Sequence, residues 1–249
     1  MIMQATPVAG RDGVLATAGD HPYVRLQTGG DEELTGYLVD DTTVWFRDGP
    51  TGRQGFAMGD PERAVRFVAG LISAGTIPPP TWLHLPRVAP EVLDAHLRTG
   101  KRDQWDFRWT ATPPPEQPGE ERVVRLTDAE HAAIHDLIES SFPATTTRPG
   151  DPRVNHWHGV WAGDRLVAAG ADRSRGGTGF LAGLTVDPTW RGRGLGAALT
   201  AAMTRALLAE AEEVTLGVMV DNLVAIRLYE RLGFAGSLAR TSVELVGVA

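Results

Sequence analysis

A turn rich in glycine and arginine offers the clearest chemistry in the chain. Residues 191–196 read RGRGLG and stand between a strand-like run and an alanine-rich helix pattern. Glycines let consecutive backbone N–H groups face an anion, and a helix N-terminus adds roughly half a positive charge. Arginines add charge-assisted hydrogen bonds to phosphate oxygens. The pattern predicts either a phosphate-binding turn or a connector whose arginines face water.

Two familiar phosphate motifs compete with this interpretation. Gly192, Gly194 and Ala197 match G-x-G-x-x-A, the fingerprint of a dinucleotide-binding unit. In that unit the first glycine follows the strand almost at once, whereas residues 187–191 intervene here. The turn also lies too near the C-terminus for the second half of a doubly wound sheet. A P-loop needs Gly-Lys-Ser or Gly-Lys-Thr, which the turn lacks.

Composition limits the partners of such a site. The 249-residue chain has a formal net charge of -7, which argues against a nucleic-acid binder, and no apolar run is long enough to span a membrane. The chain contains no cysteine, so a thiol nucleophile, thiolate metal ligands and disulfides are excluded. The N-terminus lacks the pattern of a signal peptide, so we expect a cytoplasmic location.

A proline-rich stretch divides the chain. Residues 111–121 contain four prolines and one glycine, which suit neither a helix nor a strand. Before this stretch, strand patterns and the helix signals Asp60, Pro61 and Gly75 predict the order β-β-β-α-β-α-β, with the second helix over residues 90–100. After it, the patterns predict β-α-β-β-β-α-β-α-β. The shared sub-order β-β-β-α-β-α-β suggests a duplicated domain.

The second half carries its own boundary signals. Thr127 and Glu130 form a capping box before a helix, and Gly163 and Asp164 mark a hairpin turn. Residues 143–155 have no periodicity and predict a long loop, which is a candidate lid or substrate-binding segment. A strand before the glycine turn and a helix after it are the elements that must position the turn.

The turn and a second motif together resemble the GNAT superfamily of N-acetyltransferases. Residues 191–196 fit the R/Q-x-x-G-x-G/A signature of that family, and residues 221–234, DNLVAIRLYERLGF, are similar to the motif that closes its coenzyme A site. The resemblance covers most of residues 122–249. It implies an α/β fold with mixed sheets in two GNAT-like domains, each a central, mostly antiparallel sheet flanked by helices.

This resemblance divides the chain into four segments. We expect an N-terminal extension over residues 1–20, a degenerate GNAT-like domain over 21–111, a proline-rich linker over 112–120 and a GNAT N-acetyltransferase domain over 121–249. The first half is degenerate because PERAVRF stands where a glycine loop would be needed. The expected arrangement is therefore a tandem in which one half-site has been lost.

The resemblance also implies the reaction. It implies transfer of an acetyl group from the cosubstrate acetyl-CoA to the primary amine of a small molecule, such as an amino acid, a polyamine or an amine-bearing natural product, without a metal. The strand backbone before the turn would polarise the thioester carbonyl, and the turn would hold the pyrophosphate. The residues that would bind acetyl-CoA are Leu184, Thr185, Val186, Arg191, Gly192, Arg193, Gly194, Leu195, Gly196, Asn222 and Ala225.

The catalytic acid follows from the family motif, whereas the base does not. Tyr229 would be the general acid that protonates the coenzyme A thiolate, although its place on an apolar helical stripe is also typical of a core residue. Many relatives place a glutamate on the strand before the turn, but FLAGLTVD offers only Asp187 at its end. Glu139, His156 and His158 are base candidates by residue type alone. Direct attack in a ternary complex is expected, because no cysteine can carry an acyl group.

Other functions stay open on the sequence. A coenzyme A-binding regulatory or scaffold protein without turnover is compatible with the missing base, and acetylation of a protein or peptide would require a peptide-binding groove. A monomer and a homodimer are both compatible with the sequence. His131 and His135 have the spacing of metal ligands on a helix, but no third ligand accompanies them, so we expect them to face solvent.

Overall fold

The computed structural model of the protein describes residues 5–30, 33–49 and 52–249. Contacts between residues group the chain into two compact units. Unit 1 consists of Met1–Phe107, Met219–Asp221 and Leu238–Ala249, and unit 2 of Arg108–Val218 and Asn222–Ser237. The division at a linker over residues 112–120 stays a prediction. The first four residues of the predicted N-terminal extension lie outside the described part of the chain.

Unit 1 has a mixed sheet with helices. Its elements are β1 (Thr6–Ala9), α1 (Gly10–Ala18), α2 (Pro22–Thr28), β2 (Leu34–Val39), β3 (Thr42–Gly49), β4 (Gly52–Met58), α3 (Pro61–Ser73), β5 (Trp82–Pro86), α4 (Pro90–Asp94), β6 (Leu97–Thr110) and β12 (Gly236–Val248). The strand order is β1-β2-β3-β4-β5-β12-β6. The first four strands pair antiparallel in sequence, and β4 pairs in parallel with β5.

Local signals explain the central helix of unit 1. The Asp60 carboxylate accepts a hydrogen bond from the Arg63 backbone N–H at 2.7 Å, so it caps α3, and Pro61 occupies the first helical position. Gly75 follows the helix in the left-handed region, at a φ of 66°. The apolar stripe of α3 packs in a buried cluster with side chains of β3, β5 and β12. These boundaries confirm the predicted helix.

Two predictions for the first half are wrong or incomplete. The helix predicted over residues 90–100 ends at Asp94, and β6 already begins at Leu97. Leu97 is buried in the unit 1 core, and Gly100 approaches Glu244 so closely that a Cβ would lie 2.6 Å from its carboxylate. Sheet pairing and burial therefore override the helical pattern. The elements β1, α1 and α2, which the sequence patterns did not predict, precede β2.

Unit 2 follows the order predicted for the second half except for its last strand, because β12 belongs mainly to unit 1, where it pairs with β5. Its elements are β7 (Val124–Leu126), α5 (His131–Ser141), β8 (His156–Ala162), β9 (Arg165–Asp172), β10 (Gly179–Val186), α6 (Leu195–Leu208), β11 (Val214–Met219) and α7 (Leu223–Arg231). The strand order is β11-β10-β9-β8-β7, with β10 and β11 parallel and the other pairs antiparallel. The capping box at Thr127 and Glu130 and the turn at Gly163 and Asp164 are confirmed.

The helices of unit 2 pack against separate sets of sheet residues. Side chains of α6 form a buried cluster with Ala168, Leu181 and Leu216. Side chains of α5 form another with Ala169 and Trp157. Because neighbouring strand residues point to opposite faces, Ala168 and Ala169 assign α6 and α5 to opposite sides of this sheet. The result is a mixed α/β fold in which β10 and the start of α6 are held by a packed core.

Candidate functional site

The strands β10 and β11 separate soon after they begin. Residues 179–181 pair with residues 214–216, and this pairing extends no further among the described residues. On its other side, β10 shifts register against β9 between Ala182 and Thr185. The backbone groups of Gly183 and Leu184 therefore lie outside both ladders and are open to another hydrogen-bonding partner. The gap can receive an extended ligand that carries amide and carbonyl groups.

Gly183 allows the bulge in β10. Its φ is 59°, in the left-handed region that side chains with a Cβ rarely adopt. A Cβ at this residue would also lie 3.2 Å from the Thr147 Cβ. Thr147 belongs to the predicted loop over residues 143–155, which contains no helix or strand. The loop thus lies directly against the bulge.

Arginine side chains fix the loop. Arg173 donates to the Thr147 hydroxyl at 3.3 Å, and Thr147 is buried. Arg148 donates to the Glu139 carboxylate and to the Pro143 carbonyl, each at 2.6 Å. These contacts join the loop to the residue that directly follows β9 and to α5. They give the loop a defined conformation beside the bulge.

A buried carboxylate shapes the chain between β10 and the glycine turn. Asp187 accepts hydrogen bonds from the Thr189 backbone N–H at 2.8 Å and from its hydroxyl at 2.7 Å. Arg165 at the start of β9 also donates to this carboxylate. The hydrogen bonds from Thr189 and the charge of Arg165 hold the pKa of Asp187 below its usual value. Asp187 is therefore ionised at neutral pH and anchors the turn at Pro188–Trp190.

The N-terminus of α6 is open to an anion. The turn residues 191–194 are exposed, and Gly192 and Gly194 have φ angles of 75° and 80°. Gly194 is the N-cap of the 14-residue helix, and no side chain caps the helix there. The first N–H groups of α6 therefore lack a side-chain acceptor, and the helix dipole favours a negative group at this point. This geometry confirms the helix start that the sequence predicted.

The two arginines of the turn contact protein groups of different kinds. Arg191 donates to the Val186 carbonyl at 3.3 Å and to the Ser141 carbonyl at 3.4 Å. The Arg193 guanidinium carbon lies 4.5 Å from the centre of the Trp190 ring, which is a cation–π contact. Neither arginine forms an ion pair with a carboxylate in the described part of the chain. Their charge is available to an anionic ligand.

Helix α7 closes against the start of α6. A Cβ at Gly196 would lie 3.6 Å from the Leu228 Cδ2 and 3.7 Å from the Val186 Cγ2. The end of β10, the first turn of α6 and the middle of α7 therefore meet at Gly196. Asn222 caps α7, because its side-chain oxygen accepts a hydrogen bond from the Ala225 N–H at 3.1 Å. This contact gives Asn222 a structural role at the helix start.

Tyr229 is buried on the inner face of α7. It is 8% exposed, and its ring centre lies 5.9 Å from that of Phe234. Burial raises the pKa of the phenol to about 12. No hydrogen bond of the hydroxyl is found among the residues that the structure describes. Tyr229 thus combines the packing of a core residue with an unengaged donor.

The base candidates differ in what surrounds them. Glu139 is exposed and accepts the hydrogen bond from Arg148 described above. His156 Nδ1 lies 2.6 Å from Arg125 Nη2. His158 is half-buried, burial holds its pKa below the usual value, and its Nδ1 is buried without a partner in the described residues. In the ladder between β8 and β9, His158 lies opposite Gly170. A Cβ at Gly170 would lie 2.6 Å from the Leu184 Cδ2, so the Leu184 side chain at the bulge occupies the space beside Gly170.

The sequence did not reveal every residue of this region. Arg165, Arg173 and Thr147 shape the turn and the loop, but no local pattern marks them, because each acts on a residue 22 to 26 positions away or across the sheet. The predicted motif residues do lie on the elements that meet at Gly196. The roles assigned to Leu184, Thr185, Asn222 and Tyr229 stay predictions.

The described residues contain no group of three or more His, Cys, Asp or Glu side chains that could hold a metal ion. His131 lies 3.2 Å from Asp128, and His135 lies 3.7 Å from Asp136, so each contacts a carboxylate of its own helix region. Within the same residues, the search for a helix long and apolar enough to cross a bilayer found none.

Comparisons with known proteins agree with this geometry. The family model FR47-like protein matches residues 158–243. A mycothiol acetyltransferase from Nocardiopsis dassonvillei is 36% identical over 121 residues, which are 47% of this chain and 34% of that protein. The match therefore spans about a third of the relative's length.

Solved structures have the same fold. An acetyltransferase of the GNAT family from Novosphingobium aromaticivorans has a TM-score of 0.58 and 28% identity, over 82% of this chain and 88% of that one. A GCN5-related N-acetyltransferase from Sphaerobacter thermophilus has a TM-score of 0.56 over 98% of this chain and 96% of that one, but at 16% identity it supports the fold alone. With the glycine turn and the open helix N-terminus, the family-model match and these similarities support a GNAT superfamily acyltransferase.

Proposed function

We propose that the protein transfers an acetyl group from acetyl-CoA to the primary amine of a small molecule. The observation that carries the proposal is the gap between β10 and β11, which leads directly to the uncapped N-terminus of α6. A ligand in this position needs an extended arm with amide groups and an anionic end. Acetyl-CoA has both, because its pantetheine arm carries amides and ends in a diphosphate.

In this proposal, the backbone of β10 binds the reactive end of acetyl-CoA and the turn binds the diphosphate. Backbone N–H groups near Leu184, Thr185 and Val186 would donate hydrogen bonds to the carbonyl oxygens of the pantetheine amides and of the thioester, and backbone carbonyls there would accept from the pantetheine N–H groups. The N–H groups of residues 191–196 bind the diphosphate, with the helix dipole and the two arginines adding positive charge. Asn222 and Ala225 at the start of α7 border the arm.

The reaction uses groups of the chain, its two substrates and water. The amine nitrogen attacks the thioester carbon, the carbonyl oxygen becomes an oxyanion, and backbone N–H groups of β10 stabilise it. The carbon–sulfur bond then breaks and the thiolate leaves. A phenol with a pKa of about 12 is a weaker acid than an alkyl thiol near 8.5, so full proton transfer to the free thiolate is uphill by roughly 5 kcal/mol. We therefore assign Tyr229 the hydrogen bond that stabilises sulfur while its bond breaks.

His158 is the best supported of the three base candidates. Burial holds its pKa below the usual value, so the imidazole is neutral near pH 7, and its Nδ1 has no hydrogen-bond partner among the described residues. Glu139 is engaged by Arg148 and fixes the loop. Because β9 lies between β8 and β10, these two strands are about 10 Å apart, and His158 would accept the proton through water.

The loop over residues 143–155 would contact the acceptor, because Thr147 lies against the bulge where the thioester would sit. The partial relative named mycothiol acetyltransferase supports a small-molecule acceptor. No described element offers a feature that favours a protein or peptide over such a molecule.

We also propose that unit 1 is a degenerate copy of the same fold. In unit 1, α3 connects β4 to β5, and these two parallel strands pair over three residues each. In unit 2, α6 connects β10 to β11, which are also parallel and also pair over three residues each. The decisive difference is at the helix N-terminus. Asp60 places a carboxylate on the N–H groups of α3, whereas Gly194 leaves those of α6 open. A phosphate would be repelled by Asp60, so unit 1 would not bind coenzyme A in this way.

The proposal is tested by calorimetric titration with acetyl-CoA, followed by release of free coenzyme A thiol across a panel of amino acids, polyamines, amino sugars and short peptides. We expect binding with one site per chain and turnover on at least one small amine. Binding without turnover on any amine would favour a regulatory or scaffold protein instead. Absence of acetyl-CoA binding would overturn both functions.

A further inference from the structure

A cavity of about 620 Å³ lies in unit 2 between the start of α5, the end of β7 and the last part of the loop before β8. None of its lining residues belongs to residues 182–196 or 222–234, which carry the proposed acetyl-CoA site. The cavity thus requires its own explanation.

The base of this cavity is apolar. Leu126 and Trp157 are at most 5% exposed and belong to the core beneath α5, and Val154 packs partly against the same core. All three line the cavity. This surface fits the flat or branched hydrocarbon part of a small molecule.

The carboxylates at the rim already have partners. Asp151 is bound by Arg153 through contacts of 2.7 to 3.2 Å. Asp128 lies 3.2 Å from His131 Nε2, and it is 98% exposed, so water screens its charge. A cationic ligand would therefore be attracted less strongly by either carboxylate than by an unpaired one.

Arg125 provides the unmatched charge of the cavity. Its Nη2 lies 2.6 Å from His156 Nδ1. A guanidinium only donates hydrogen bonds, so Nδ1 must be the acceptor, and the neutral imidazole carries its hydrogen on Nε2. No carboxylate forms an ion pair with Arg125 in the described part of the chain. Arg125 and His156 both line the cavity, so the remaining guanidinium N–H groups and His156 Nε2 are donors at its border.

We propose that this cavity binds a small organic carboxylate with an apolar body. The carboxylate is held by Arg125 and His156, and the apolar part lies on Leu126, Val154 and Trp157. A guanidinium and a carboxylate form charge-assisted hydrogen bonds. A simple inorganic anion has no apolar part to pack on the base of the cavity, so it should bind more weakly than the organic carboxylate. This site does not depend on acetyl transfer.

Titration calorimetry and ligand-observed NMR with benzoate, in the absence of acetyl-CoA, test the proposal directly. Benzamide is the matched probe, because it has the same ring and shape but no charge. We expect saturable benzoate binding in roughly the millimolar range and at least about fivefold weaker binding of benzamide. Arg125→Gln should weaken benzoate binding about tenfold and leave benzamide nearly unchanged.

Two further variants separate the site from a general effect of charge or folding. Arg122→Gln removes an exposed arginine that lies outside the cavity and should leave benzoate binding unchanged. Val154→Trp keeps Arg125 but fills the cavity, and it should abolish binding. Equal affinities for benzoate and benzamide would overturn the proposal, as would equal losses from Arg122→Gln and Arg125→Gln. Thermal melting of each variant shows that it is folded. Because acetyl-CoA is absent, these outcomes leave the proposed enzyme function untouched.

Discussion

A Cβ added to Gly183 would lie 3.2 Å from the Thr147 Cβ, so the bulge in β10 packs closely against the loop before β8. The bulge directs backbone groups away from the sheet, and the loop borders the space that they face. The geometry of the proposed thioester site and the conformation of the acceptor loop therefore depend on the same residue. A change at Gly183 alters both.

Gly183→Ala is expected to lower the rate of acetyl transfer about tenfold while the chain stays folded. The left-handed φ strains an alanine, and the added methyl group pushes Thr147 away. Gly177→Ala is the matched control, since Gly177 has a φ of 80° but no atom within 4 Å of its Cβ position. Steady-state rates of acetyl transfer are measured for both variants. Equal losses in the two variants would show that backbone strain, and not the contact with Thr147, is responsible.

The start of α6 provides a test of anion binding. Gly194→Asp would place a carboxylate where Asp60 stands at the start of α3, whereas Gly194→Asn adds nearly the same side chain without charge. Both residues tolerate the left-handed conformation better than others. We expect Gly194→Asp to bind acetyl-CoA at least about tenfold more weakly than Gly194→Asn does. Titration calorimetry measures the difference, and similar affinities would contradict a diphosphate at this helix end.

Patterns that act within one element were predicted well. The cap of α3 at Asp60, the capping box at Thr127 and the start of α6 at Gly194 all depend on residues a few positions apart. The order of unit 2 followed from the same kind of signal. Such interactions join residues that are close in the sequence, so they can be predicted from the sequence alone.

Interactions between distant residues were not predicted. The contact of Arg165 with Asp187, the bulge opposite Gly170 and the start of β6 at Leu97 all depend on which strands become neighbours. The helical pattern over residues 90–100 was overridden by sheet pairing for this reason. Which strands become neighbours depends on burial across the whole sheet, and short sequence patterns do not specify it.

Tyr229→Phe is expected to slow acetyl transfer at least about tenfold and to leave acetyl-CoA affinity nearly unchanged. The change removes only a hydroxyl without a partner and keeps the ring that packs on Phe234. Tyr37→Phe in unit 1 is the control for loss of a hydroxyl elsewhere. Single-turnover rates with saturating acetyl-CoA separate chemistry from product release. An unchanged rate would assign Tyr229 to the core alone.

His158→Gln and Glu139→Gln distinguish the base candidates by their pH profiles. A neutral imidazole accepts a proton, and burial holds the pKa of His158 below 6.5, so activity should fall only as the pH drops through that lowered value. His158→Gln should lower kcat/KM and remove this acidic limb. Glu139→Gln should raise KM for the amine by loosening Arg148 and keep the limb. The opposite pattern would assign the base role to Glu139.

Acid should destabilise the protein through His84 in unit 1. Burial, together with the charges of Arg240 and Arg47, lowers the pKa of His84 to about 3. The unfolded chain therefore binds an extra proton between about pH 3 and 6.5, so stability is present above that window and is lost as the pH falls through it. From about pH 7 to 4.5, the loss from this residue is of order 2 to 3 kcal/mol. Urea unfolding should show a smaller loss for His84→Gln and an unchanged loss for the exposed control His135→Gln. Equal pH dependence in wild type and His84→Gln would rule out this origin.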